Sequence, residues 1–199
     1  MDFRNLGKTW SGALTENKFL RIGVAGSGIA MVILAYAAVS KPTIVTMVPP
    51  NLKQQVWVSE GSAAQGYKTS WGLYMAMLLG NATPGNVDYL KQAIGPVLSP
   101  AIYKETIDAL NKQSIHIKQD GVTMRFEQRT VQYEKSTNKV FVQGYSYVRG
   151  AGGDETRDTR TYEFKINVQD YAPVFTYFDT YSGRARTQEA LAHEKRGNS

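Results

Sequence analysis

A long apolar stretch lies near the start of the chain and precedes the amphipathic patterns. Residues Ile22 to Val39 carry no charged side chain, and about 20 apolar residues are needed to cross the hydrocarbon core of a bilayer. A helix that is apolar on every face over this length is typical of a membrane span rather than of a surface helix. The pattern therefore predicts a transmembrane helix over residues 21–40, preceded by an N-terminal segment of residues 1–20.

Basic residues on the two sides of this stretch predict its orientation. Four precede it and two follow it within a comparable distance, namely Arg4, Lys8, Lys18, Arg21, Lys41 and Lys53. The side richer in lysine and arginine normally stays in the cytoplasm, so the rest of the chain is expected on the far side. A cleaved signal peptide is the alternative, because Ala35-Tyr36-Ala37 resembles a cleavage site. The long basic region and long apolar stretch favour an uncleaved anchor, and both interpretations export the same domain.

Small residues recur at four-residue spacing within the apolar stretch. Gly23 and Ser27 form one such pair, and Gly26 and Ala30 form another. Small residues at this spacing let two membrane helices approach closely, although glycine and alanine are common in membrane helices in any case. We interpret the pattern as a candidate helix-packing face.

The next residues, 41–58, are predicted to be a linker or a first strand. Lys41-Pro42 and Pro49-Pro50 interrupt any continuing helix. Between them, Thr43 to Val48 is rich in β-branched residues, which favours an extended strand.

Three amphipathic helices are predicted after the linker. The first opens at Ser59, shows apolar residues at spacings of three and four from Tyr67 to Leu79, and ends at Gly80-Asn81. A second is expected to begin at Pro84, with Thr83 as its cap. A third is expected to run from Ser99 or Pro100 to about Lys112.

After Ile115 the apolar period changes to two, which indicates β-strands. The alternation from Val122 slips at Gln128-Arg129, as a β-bulge would cause. Further strands are predicted at Val140–Arg149, Arg160–Val168 and Pro173–Tyr181. Helices followed by antiparallel strands predict an α+β domain over residues 59–183, with helices packed on one face of a curved sheet. Residues 184–199 are predicted to be a flexible, charged tail.

Composition excludes several classes of function. The chain has 199 residues and no cysteine, which rules out thiol catalysis, a lipoprotein anchor and thiolate zinc sites. The formal net charge of +6 is spread along the chain without a dense basic stripe. We therefore predict no direct nucleic-acid binding.

The residues alone suggest no catalytic centre. His116 and His193 are the only histidines, and neither lies in a metal-ligand spacing. The acidic residues of the predicted strands, Glu127, Glu134 and Glu163, alternate with apolar residues and are expected to face solvent. A buried acid in a cavity would favour a small isomerase or dehydratase. Without one, we predict no enzymatic activity, no cofactor and no metal.

Several short stretches, read in order, resemble the TraE family of conjugative type IV secretion and pilus-assembly proteins. The resemblance runs from the apolar stretch to about Tyr181, and its parts are structural punctuation rather than catalytic motifs. They are Leu78-Leu79-Gly80-Asn81-Ala82-Thr83-Pro84-Gly85-Asn86-Val87, Pro100-Ala101-Ile102-Tyr103, Val140-Phe141-Val142-Gln143-Gly144 and Arg160-Thr161-Tyr162.

The resemblance implies a periplasmic domain of the cystatin-like, nuclear-transport-factor-like kind, anchored in a bacterial inner membrane. It also implies a scaffold that self-associates and contacts other secretion-channel proteins during pilus assembly and DNA transfer. Trp71 and Tyr74 are candidates for a partner contact, although core positions are favoured for both. A membrane-anchored domain that binds a small ligand is the alternative function, because such cone-shaped folds often hold an apolar pocket.

Overall fold

A computed structural model describes residues 3–39, 46–50 and 56–197 of the chain. It divides into two compact units, Met1–Ile44 and Val45–Ser199. The first unit contains helix α1, Phe3–Val39. Among the described residues, no helix combines the length and the apolar character that crossing a membrane requires. The predicted transmembrane helix over residues 21–40 is therefore not confirmed.

The apolar part of α1 is exposed along its length. The large apolar side chains whose exposure is described are 62% to 75% accessible, and they are Leu20, Ile22, Val24, Ile29, Met31, Val32, Ile33, Leu34 and Tyr36. Apolar surface of this extent is unusual on a soluble monomer, and it marks a place where another apolar phase or protein is expected.

The second unit is an α+β domain, as predicted. Its helices are α2 (Gln65–Gly80), α3 (Val87–Ile94), α4 (Pro100–Gln119) and α5 (Gln188–Gly197), and a single 3₁₀ turn, Gly95–Val97, joins α3 to α4. The strands are β1 (Thr123–Glu134), β2 (Lys139–Arg149), β3 (Glu155–Gln169) and β4 (Ala172–Ser182). They form one antiparallel meander in the order β1-β2-β3-β4.

The predicted bulge in β1 is confirmed, because the β1–β2 register shifts between Gln128 and Thr130 and leaves Arg129 out of the pairing. A second shift, between Lys165 and Ile166 in the β3–β4 pairing, places the extra residue Thr176 in β4. Bulges bend a strand and increase its twist, so the sheet carries two points of bending.

Several predicted helix boundaries were wrong. Ser59 does not open a helix; it lies in a turn, where its N–H donates to the Ser62 carbonyl at 2.7 Å. Pro84 is not the first residue of a helix, because Thr83 and Asn86 bond each other reciprocally and α3 starts at Val87. The third helix continues seven residues beyond Lys112, since the buried positions Ser114 and Ile117 keep helical spacing.

Helix α2 packs on one face of the sheet and covers the core. Its buried residues Tyr67, Trp71 and Met75 join apolar side chains of β2 and β3 in a single cluster. The approach is closest at two glycines: a Cβ added at Gly72 would lie 2.6 Å from Val140 Cγ1, and one at Gly80 would collide with the Phe126 side chain. The glycines therefore allow the helix to lie against the sheet.

Both edges of the sheet are occupied by the connections between helices. The Met124 N–H donates to the Ala82 carbonyl at 2.8 Å beside β1, and the Ser99 N–H donates to the Phe175 carbonyl at 2.9 Å beside β4. A covered edge leaves fewer unpaired backbone N–H and C=O groups that could bond to a strand of another chain.

Two further predictions concern the linker and the C-terminal tail. Residues 46–48 of the possible first strand are irregular, and residues 43–45 lie outside the described residues. The C-terminal tail of residues 184–199 was predicted to be flexible, but it includes α5, whose first residue is held by β1: the Gln188 N–H donates to Glu134 Oε1 at 2.8 Å.

Candidate functional site

The face of the sheet that points away from α2 carries most of the polar side chains of the strands. Side chains alternate between the two faces of a strand. Since Val140, Val142, Tyr162 and Phe164 face the helices, the residues between them face outward. This surface is called the outer face below.

One half of the outer face holds what we call the arginine–tyrosine surface, which consists of Arg125, Arg129, Tyr145, Tyr147 and Arg157. Tyr147 pairs across the strands with Arg125 on one side and Arg157 on the other. The guanidinium of Arg125 lies 3.8 Å from the Tyr147 ring centroid, and those of Arg157 and Arg129 lie 3.8 and 4.9 Å from the Tyr145 centroid. Cation–π contacts of this kind fix the planes of the arginine forks.

Glu127 lies among these arginines and partly neutralises them. It pairs with Arg125, lies 3.6 Å from Arg129 Nη2, and accepts a hydrogen bond from Tyr147 at 3.3 Å. The hydrogen bond from Arg125 lowers the pKa of the Glu127 carboxyl below its ordinary value. Glu127 is therefore ionised at neutral pH, and it is partly exposed, as predicted.

The other half of the outer face contains an ion pair between the partly exposed Lys139 and the buried Glu163. These two residues, together with Tyr177 and Tyr181, are called the Lys139–Glu163 cluster. Lys139 Nζ lies 2.6 Å from Glu163 Oε1, and the Tyr181 hydroxyl donates to Glu163 Oε2 at 2.9 Å. The ammonium group also lies 4.7 Å from the Tyr177 ring centroid. Every strongly polar atom of Glu163 thus has a partner, which is what allows a carboxylate to be buried.

The prediction that Glu163 faces solvent was wrong, because the residue is only 4% exposed. Its position on the outward face was inferred correctly from the alternation, but that face is not open to solvent at this point. The hydrogen bond that Lys139 donates to Glu163 raises the pKa of the Lys139 ammonium, and burial raises the pKa of the Tyr181 phenol. Lys139 therefore stays protonated across the physiological range of pH.

The segment after β4 returns over this half of the outer face. Gly183, at φ +97, turns the chain, and its carbonyl accepts a hydrogen bond from Thr161 Oγ1 at 2.8 Å. The Arg186 N–H then donates to the Tyr181 hydroxyl at 3.0 Å, and Gln188 reaches Glu134 at the end of β1. Residues 183–197, the C-terminal segment, therefore run from β4 to the β1–β2 hairpin on the face of the sheet that carries Thr161 and Glu163 of β3.

A groove of about 290 Å³ lies where the C-terminal segment meets the arginine–tyrosine surface. Arg129 borders it from the bulge of β1 and Arg184 from the C-terminal segment, and we call it the Arg129–Arg184 groove. Its lining consists of Arg129, Gln143, Gly144, Tyr145, Thr159, Gly183 and Arg184. Gly144 lies opposite the bulge, where a Cβ would collide with the Glu127 carbonyl and the Phe126 ring.

A second groove, of about 410 Å³, lies between α3 and α4 and includes Asp88, Lys91 and Tyr103 in its lining. Asp88 is held by Lys118 at 2.5 Å and by Lys91 at 3.0 Å. The hydrogen bond from Lys118 lowers the pKa of the Asp88 carboxyl. The charges of this groove are thus already paired within the chain. Glu163 lines neither groove.

The sequence-predicted contact residues have separate environments. Trp71 is 5% exposed and belongs to the core, whereas Tyr74 is partly buried and packs against the core from its edge. Their rings form an edge-to-face pair with centroids 5.6 Å apart. The core position favoured by the sequence is therefore observed for Trp71, whereas Tyr74 lies at the edge of the core. A partner contact through Tyr74 stays a prediction.

The small residues of the apolar stretch all lie on α1. An added Cβ at Gly23 or Gly26 would meet no atom within 4 Å, and the Ser27 hydroxyl donates to the Val24 carbonyl of its own helix at 3.0 Å. Together with Ala30 they lie on an exposed stretch of helix. Helix packing through these four residues stays a prediction.

The described residues contain no group of three or more histidine, aspartate and glutamate side chains placed to hold a metal ion. His116 lies in the last turn of α4, and His193 lies in α5. Of the residues on the outer face, sequence reasoning missed Arg129 and Arg184. The bulge at Gln128-Arg129 was the available signal for the first, and nothing local marks the second.

Comparison with known families and structures agrees with this fold. A family model described as "TraE protein" matches residues 1–180. No curated protein sequence matches the chain.

Among solved structures, a TrwG component of a type IV secretion system from Bartonella birtlesii is similar at 8% identity and a TM-score of 0.54, covering 65% of this chain and all of that one. A TraE protein in complex with 2-(2-furyl)isonicotinic acid is similar at 11% identity and a TM-score of 0.51, covering 61% and 99%. The periplasmic domain of DotI is similar at 10% identity and a TM-score of 0.51, covering 60% and 96%. At these identities the likeness establishes a shared fold.

Proposed function

The chain belongs to the TraE family, and from this premise we propose that it is an inner-membrane scaffold subunit of a conjugative type IV secretion system. In this role it supports pilus assembly and DNA transfer through contacts with its own copies and with other channel subunits. The match of the family model over residues 1–180 is the observation that carries the proposal. The fold shared with a TrwG component of such a system supports it.

The proposed topology places the N-terminus in the cytoplasm and the α+β domain in the periplasm. Two observations support it: the uncharged sequence from Ile22 to Val39 with basic residues before it, and the exposure of the large apolar side chains on α1. Lipid around this helix would remove that apolar surface from water. Gly23 and Gly26 would then lie where two such helices can approach closely.

The chemistry of the domain supports a binding role rather than a catalytic one. Its most buried carboxylate, Glu163, is paired with Lys139 and Tyr181 and is not free to accept a proton from a substrate. Its partly exposed charged groups form a broad surface on the outer face of the sheet. Arginine and tyrosine are among the residues enriched at protein interfaces, and this surface is built from both.

Deletion of the gene from its conjugative element tests the proposal. We expect transfer of the element to recipient cells and the number of pili seen by electron microscopy to fall to background. Restoring the full chain in trans is the control and should recover both. Channel subunits should also co-purify with the tagged full chain from detergent. Transfer at the wild-type level after deletion would refute the scaffold role.

A further inference from the structure

The Arg129–Arg184 groove is positively charged and open to solvent on the outer face of the sheet. We propose that it binds carboxylate side chains of an acidic segment in a partner protein. The proposal rests on the proposed function, because it names the chemistry of one subunit contact that a scaffold would make.

The lining of the groove carries the first part of the argument. Two arginines border it from parts of the chain 55 positions apart, and the residues lining it, all in the described part of the chain, include no carboxylate. Arg129 is 59% exposed at its side chain, and Arg184 is exposed. A guanidinium binds a carboxylate through two parallel N–H donors, so the groove presents two forks to one acidic segment.

Arg129 is held in position before any partner arrives. The bulge takes it out of the β1–β2 register, and bulges commonly redirect a side chain in this way. Its guanidinium lies over the Tyr145 ring, which Arg157 also contacts. Glu127 lies 3.6 Å from Arg129 Nη2, beyond the length of a good hydrogen bond. Less conformational entropy is therefore lost when the remaining donors bind a ligand.

Several features favour an acidic protein segment over a nucleic acid. The rings of Tyr145 and Tyr147 already carry guanidinium groups at 3.8 Å, whereas base stacking needs free aromatic faces. Glu127 and Glu155 are interspersed with the arginines, which interrupts the positive track that phosphates follow. The volume of about 290 Å³ accommodates a few side chains rather than a long ligand.

Binding of a charged peptide to the purified full chain in detergent tests the proposal. The probe is a short fluorescein-labelled peptide of alternating glutamate and glycine, and fluorescence anisotropy measures its Kd. We expect Arg129→Gln and Arg184→Gln each to weaken binding by about ten-fold, since each removes a charge-assisted hydrogen-bonding partner. Arg149→Gln is the matched control, because Arg149 is exposed at the end of β2, outside the groove lining.

Either of two results would overturn the proposal. In the first, a peptide with glutamine in place of glutamate binds as tightly as the acidic peptide. In the second, Arg149→Gln loses as much binding as Arg129→Gln and Arg184→Gln. A single-stranded oligonucleotide that bound more tightly than the acidic peptide, and lost its binding in the double variant, would assign the groove to nucleic acid instead.

The consequences for DNA transfer separate this proposal from the scaffold role. We expect the double variant Arg129→Gln/Arg184→Gln to reduce transfer while the chain remains in the membrane fraction at the wild-type amount. If deletion of the gene abolishes transfer but the double variant transfers normally, the groove proposal fails and the scaffold role stands. If deletion has no effect, the scaffold role fails, and the peptide measurement still reports on the groove.

Discussion

Glu163 shows how a single residue can satisfy a sequence pattern and still have an unexpected environment. The alternation along β3 assigns it correctly to the face opposite Phe164, and an outward-facing glutamate is normally solvated. It is nevertheless 4% exposed, since Lys139, Tyr181 and the returning C-terminal segment surround it. Pairing makes this burial tolerable; an unpaired carboxylate in the same place would be strongly destabilising.

The Lys139–Glu163 pair can be tested by a double-mutant cycle. Lys139→Met should lower the free energy of unfolding by about 2–4 kcal/mol, because it leaves the Glu163 carboxylate buried without its cation. Glu163→Met completes the cycle, and the double variant Lys139→Met/Glu163→Met should recover part of the loss seen in Lys139→Met. Lys165→Met is the matched control: Lys165 pairs with Lys139 in the β2–β3 register and has no ion pair among the described residues. Urea unfolding followed by circular dichroism measures all four variants.

The pH at which these measurements should be made follows from the pKa of Lys139. The hydrogen bond that Lys139 donates to Glu163 raises this pKa above its ordinary value of 10.5. A raised pKa in a cationic group means that the folded state binds its proton more tightly than the unfolded state. The contribution of the pair is therefore complete below pH 10.5 and is lost as the pH rises through the raised pKa. At neutral pH the cycle should show the full effect; an equal loss in Lys165→Met would contradict a specific role of the pair.

Among the secondary-structure elements, the C-terminal segment differs most from its prediction. Its composition is charged, and nothing in its local sequence identifies a partner. Its backbone is held by side chains of the strands. Glu134 of β1 accepts the N–H of Gln188, the first residue of α5, and Tyr181 of β4 accepts the N–H of Arg186. The helix boundaries after α2 were wrong for a related reason, since the side-chain bonds between Thr83 and Asn86 delay the start of α3.

Two truncations test what the C-terminal segment does for the domain. Removal of residues 184–199 should lower the melting temperature, because it takes away the Arg186 contact and the cover of the outer face. Removal of residues 189–199 alone retains the Arg186 and Gln188 contacts and should have a smaller effect. Thermal melts monitored by circular dichroism compare the two truncations with the full chain. Equal melting temperatures for all three would show that the segment does not stabilise the sheet.

At the scale of the whole molecule, the chain consists of two units that differ in how much apolar surface they bury. The unit Val45–Ser199 encloses an apolar core, whereas the large apolar side chains described on α1 are exposed. A core of its own is what lets a domain fold independently.

This difference predicts the behaviour of the separate parts. A fragment of residues 45–199 should be soluble and show a cooperative thermal transition, while the full chain should stay in the membrane pellet after carbonate washing. Alkaline phosphatase fused to the C-terminus should be active, because that enzyme requires export from the cytoplasm. A full chain recovered in the soluble fraction, or an inactive alkaline phosphatase fusion, would exclude the proposed topology.

The sequence by itself determined the class of the fold, the positions of the strands and the bulge in β1. These features depend on apolar periodicity and β-propensity, which act over a few neighbouring residues. Only the tertiary structure decided that Glu163 is buried and that Arg129 and Arg184 border one groove. Each of these depends on groups far apart in the chain, and the register of a sheet and the course of a returning segment are set by packing that no local pattern encodes.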